Sequence, residues 1–91
     1  MNREQALDKA KSLISGQRQV DYGDPTINFS KIAEYWSAYL GKKLNAEDIS
    51  IMMALMKVAR ITTGSGTEDS FVDALGYIAI GTEIHTKKEN K

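Results

Sequence analysis

The chain contains no cysteine, and His85 is the single histidine in its 91 residues. Disulfides and thiolate metal centres are therefore excluded, as is a histidine-rich metal site. A nucleophilic triad is excluded too, because the body of the chain offers neither a cysteine nor a histidine base. There is no excess charge of either sign, since Lys plus Arg and Asp plus Glu both number 12. That balance argues against a general nucleic-acid binder, whose affinity comes mainly from phosphate neutralisation. No apolar run approaches the roughly 20 residues that cross a bilayer. The start, MNREQALDKAKS, is too polar for a signal peptide. The glycine-rich stretch TTGSGTEDS lacks the lysine and the preceding strand of a phosphate-cradling loop. A cytoplasmic protein with no resident metal or cofactor is expected.

What is present reads as helix. Apolar residues recur with a period near 3.6 almost throughout, and only Tyr77 to Ile80 resembles a strand. The first helix spans about Arg3 to Ser15, with Ala6, Leu7, Ala10, Leu13 and Ile14 on one face and Gly16 as its stop. Asp24 followed by Pro25 sets an N-cap and a first helical position. The second helix then runs to Leu40 and stops at Gly41, its apolar face formed by Phe29, Ile32, Ala33, Trp36, Tyr39 and Leu40. Asn45 caps the third, with Glu47 and Asp48 in the first turn where the dipole favours acids. Thr67 or Ser65 caps the fourth, which extends to about Ile84. The fold class is all-α, a compact bundle of four helices with short connections that favour antiparallel neighbours. Residues 1–84 form one domain, and 85–91 are expected to be a disordered polar tail. A chain this short buries only about 60% of its unfolded surface, so a homo-oligomer is expected.

Residues 46–61, AEDISIMMALMKVARI, are apolar on nearly every side, the mark of a helix buried in a core. Lys57 and Arg60 nevertheless stand inside that run. Asp69 and Asp73, four residues apart, share a face of the next helix with Tyr77 beyond them. Something must offset that pair of acids: a divalent cation, or a ladder in which Arg60 meets Asp69 and Lys57 meets Asp73. A third reading is a site that uses the same charges for a ligand. The loop QRQVDYGDP is a second candidate. Gly23 permits backbone angles closed to other residues, Arg18 offers a fork for phosphate or carboxylate, and Tyr22 offers a face for a base. The helix start at Pro25 presents N–H groups suited to an anion, with Asn28 a further donor. Trp36 with Tyr35 and Tyr39 is an aromatic cluster that serves core, subunit contact or base stacking. Met52, Met53 and Met56 are simplest as core filler.

The run RQVDYGDPTINFSKIAEYWSAYLG, then AEDISIMMALMKVARI, then DSFVDALGYIAI, resembles a family of small phage and prophage proteins of unknown function. The ordered combination YGDP, NF, W, MMALxKxAR and DxxxDxxGY covers about residues 4–84. It implies a helical protein acting in the cytoplasm of a bacterial host. A second similarity, to MazG-like all-α nucleotide pyrophosphohydrolases, lies in EDSFVDALGYIAI. Those enzymes hold Mg²⁺ with carboxylates from two helices, which would implicate Asp69 and Asp73. Their earlier ExxE motif is missing here. The leading expectation is a non-catalytic sponge for a small nucleotide-derived signal of host immunity. Arg18, Lys57 and Arg60 would meet phosphates, Tyr22, Trp36 or Tyr77 would stack on a base, and Asn28, Asp69 and Asp73 would take polar groups. The alternatives are a Mg²⁺-dependent pyrophosphohydrolase and an adaptor that docks a protein through its aromatic second helix.

Overall fold

The computed structural model describes residues 1–16, 23–64 and 67–89. Among these residues four helices appear in order: α1 (Arg3–Ile14), α2 (Pro25–Leu40), α3 (Ala46–Thr62) and α4 (Glu68–Glu89). Among the described residues there is no strand, and the YIAI run lies within α4. The sequence places most helix ends because the end chemistry is local. Asn2 and Gln5 form a reciprocal capping box at α1, and Asn45 and Asp48 repeat it at α3. Gly41 adopts φ 66°, a left-handed turn that closes α2 on the Ser37 carbonyl at 2.9 Å. Ser37 Oγ then accepts the Leu44 N–H at 2.8 Å, fastening the link into α3.

α3 and α4 form the antiparallel hairpin around which the molecule is built, with α1 packed on α4 and α2 on α3. Small residues set its spacing. Ser50 is wholly buried, and the position of a β-carbon on Gly81 would lie against it. Phe29 and Ala33 from α2, Ile49 from α3 and Ile80 from α4 make the core, flanked by Ile14, Ile32, Trp36 and Met53.

The structure departs from the sequence pattern in the burial of its apolar faces and in one helix end. α3 is not buried on every side: Ile49, Ser50 and Ala54 face inward, while Ile51, Leu55, Met56 and Val58 are exposed. Two covering helices cannot wrap a third on all sides in so short a chain. On α2 the apolar face stops at Trp36, since Tyr39 is 90% exposed and Leu40 is also outside. Leu7 on α1 and Phe71, Leu75 and Ile78 on α4 are likewise exposed. Lastly, α4 continues through His85 to Glu89 rather than stopping near Ile84. Its added turn is supported by the His85–Glu47 contact, a Glu83–Lys87 pair at 3.0 Å, and Lys87 and Lys88 at the negative end of the dipole.

Candidate functional site

α1, the start of α2 and the middle of α4 line a half-open cavity of about 270 Å³. Its apolar wall includes Ile14, Phe29, Val72 and Ile80, and its polar positions are Asn28, Asp73 and Tyr77. Gly76, also in the lining, lets α1 approach α4 closely: a β-carbon there would stand 3.0 Å from Ile14 of α1. Phe29 and Tyr77 place their rings 6.3 Å apart, tilted by 37°, a usual aromatic pairing distance. Asp73 lies on the α3 side of the cavity, where Lys57 Nζ reaches its Oδ2 at 3.0 Å. Both partners are mostly withdrawn from water, at 16% and 32% exposure. Lys57 thus answers a half-buried carboxylate that would otherwise be costly.

Of the residues singled out from sequence, Asn28, Asp73 and Tyr77 line one cavity, and Lys57 joins them through Asp73. The expected Lys57–Asp73 rung is present. The other acid of the ladder takes a different cation, because Asp69 pairs with Lys9 of α1 at 3.2 Å. Asp69 is exposed, as is Arg60 in the last turn of α3, and neither lines the cavity. Trp36 packs against the core and is also outside it. Arg18 and Tyr22 fall in 17–22, outside the described residues; Gly23, next in sequence, lines the cavity with φ 83°. That angle justifies a glycine at this position.

The α2 N-terminus is not an open anion site. The Asp24 carboxylate accepts the Thr26 N–H at 2.9 Å and its hydroxyl at 2.8 Å. The Asp24 carbonyl takes the Ile27 and Asn28 N–H groups, and Pro25 has no N–H to give. The first turn is therefore saturated, and its cap is itself an anion. The Thr26 N–H, and then its hydroxyl, hold the Asp24 carboxyl below its ordinary pKa of 3.8. A lowered folded-state pKa means stability that is present above about pH 3.8 and lost as the pH falls through the folded value. Asp24→Ala should cost about 1 kcal/mol at neutral pH. Urea midpoints at pH 7 and pH 3 should differ less for Asp24→Asn than for the native chain.

Sequence reading missed Lys9, Gly76 and the apolar wall. A glycine inside a helical run, costing about 1 kcal/mol relative to alanine, was the available signal.

A family model described as a domain of unknown function, DUF6378, matches residues 5–85. The chain is 40% identical over 86 residues to the Gene 55 protein of Mycobacterium phage L5, covering 93% of this chain and 55% of that protein. It is 42% identical over 82 residues to the Gene 55 protein of Mycobacterium phage D29, covering 90% and 54%. The chain thus spans about half the length of the curated relatives it matches. These matches support the phage resemblance and do not show the MazG-like one. No solved structure gives a significant match.

Proposed function

The chain belongs to the DUF6378 family of phage proteins, and on that premise we propose that it is a non-catalytic binder of a small nucleotide-derived molecule. Sequestering such a molecule would deny a host its nucleotide-based immune signal. The observation that carries this reading is the cavity shared by Asn28, Asp73 and Tyr77. At about 270 Å³ it sits near the lower end for small-molecule sites and suits a base better than a whole nucleotide. A carboxylate and an amide lining one cavity supply acceptor and donor groups suited to the edge of a base, while Phe29 and Tyr77 offer ring contact. Sugar and phosphates would then extend out of the cavity past the exposed Gly23.

The donor set favours binding over hydrolysis. Among the described residues, no three acidic or histidine side chains converge as a metal cage. The acid at the cavity, Asp73, is already matched by a cation whose charge opposes a metal. A thermal-shift and mass-spectrometric screen against nucleotides, with and without Mg²⁺, tests the proposal. A ligand that raises the melting temperature and is recovered intact in both conditions supports it. Metal-dependent cleavage of that ligand overturns it, as does the absence of any shift. Asp73→Asn should lose the shift while remaining helical by circular dichroism.

A further inference from the structure

α1 and α2 both lie on one side of the α3–α4 hairpin, and no other described helix covers the opposite side. On α3, Lys57 and Ser50 point to α4, while Ile49 points to the α2 side of the core. On α4, Asp73 points to α3, while Asp69 and Gly76 point to α1. At about 100° per residue, Ile51, Leu55 and Val58 form a stripe turned away from α2. Phe71, Leu75 and Ile78 form one turned away from α1. In an antiparallel pair these rotations have the same sense, so the two stripes share one face. Leu55 and Leu75 lie level at its middle.

All six side chains are exposed, Leu55 and Phe71 by more than half. None of the 12 basic or 12 acidic residues falls within either stripe. Lys57 and Asp73 are engaged with each other, and Asp69 with Lys9.

We infer that this face is a homodimer interface, and that its occupant is the same face of a second copy. The area supports that occupant. Six side chains at these exposures present roughly 600 Å² of apolar surface per copy, against about 800 Å² per partner for a standard interface including its rim. That is at the top of the range a monomer leaves uncovered. Two parallel ridges about a twofold axis are also self-complementary, and stacking them makes a four-helix layer. The inference is independent of the cavity, which opens on the opposite side of the hairpin and would be free in both copies.

Light scattering on the full chain at micromolar concentration should give twice the 10.1 kDa chain mass. Leu55→Glu, at an exposed position, should stay helical and raise the dissociation constant by about 30-fold or more, as loss of an interface hot spot does. Tyr39→Glu on α2 should leave the dimer unchanged. Because the chain has no cysteine, a single Leu55→Cys or Leu75→Cys variant gives a second readout that needs no charge in the interface. Oxidation should link two copies through one of these positions and not through Tyr39→Cys. A native monomer overturns the inference, as does an unchanged Leu55→Glu dimer. So does cross-linking at residue 39 with none at 55 or 75.

Discussion

Gly81→Val is expected to be among the most destabilising single substitutions in the chain. A β-carbon alone at Gly81 would stand 2.3 Å from Ser50 Oγ and 3.2 Å from Ser50 Cβ. Neither atom can retreat far. Ser50 is fully buried and its hydroxyl is held by the Glu47 carbonyl at 2.8 Å. Relief comes from turning the Ser50 hydroxyl off the Glu47 carbonyl, or from separating α3 from α4, which loosens the most extensive contact between described helices. Overpacking of this kind costs about 1–3 kcal/mol and occasionally more. Gly81→Ala should fall in the lower part of that range, since alanine returns up to about 1 kcal/mol of helix propensity. Adding Ser50→Gly to Gly81→Ala should recover much of the loss in a urea titration. If Gly81→Ala alone is as stable as the native chain, the close approach is not setting the hairpin spacing.

Ile49→Ala should cost a comparable or larger amount by the opposite route. Ile49 is 0% exposed and touches α2 and α4 across the core with Phe29, Ala33 and Ile80. Truncating a buried isoleucine costs about 2–5 kcal/mol through lost transfer energy and the cavity left behind. Total stabilities of 5–15 kcal/mol are usual, and a domain with so small a core belongs near the bottom of that range. The denaturation midpoint should therefore fall by a third or more, with little change in slope. Leu55→Ala, which removes an exposed side chain of similar size, provides the contrast: its effect on the chain's own fold should be small.

Helix ends were legible because they depend on neighbours in sequence. Asp24 with Pro25, Gly41 after Leu40, and Asn45 with Asp48 each carry their own boundary. The end of α4 was not, because the Glu47 that meets His85 is 38 positions away. Burial is the least legible property in this sequence. Periodicity marks which residues are apolar, and this chain has more apolar helix surface than one copy buries. The stripes of Ile51, Leu55 and Val58 and of Phe71, Leu75 and Ile78 look like core in sequence and are exposed.

The candidate site was legible in part for the same reason. Lys57 and Asp73 flank one loop, so counting outward from its middle pairs them. The partner of Asp69 comes from α1, 60 positions distant, and no spacing rule points to Lys9. Asn28 and Tyr77 were singled out for their chemistry, and only the fold brings them to one cavity.

Under the proposed function, a nucleotide-derived ligand occupies the cavity and is not consumed. The most direct measurement is a titration of the ¹⁵N-labelled chain with the strongest nucleotide from the screen, followed by mass spectrometry of that nucleotide. The amide shifts should concentrate at Gly23, Asn28, Gly76 and Tyr77, vanish in Asp73→Asn, and leave the nucleotide intact. Shifts confined to Tyr35, Trp36 and Tyr39, or a hydrolysed nucleotide, would contradict it.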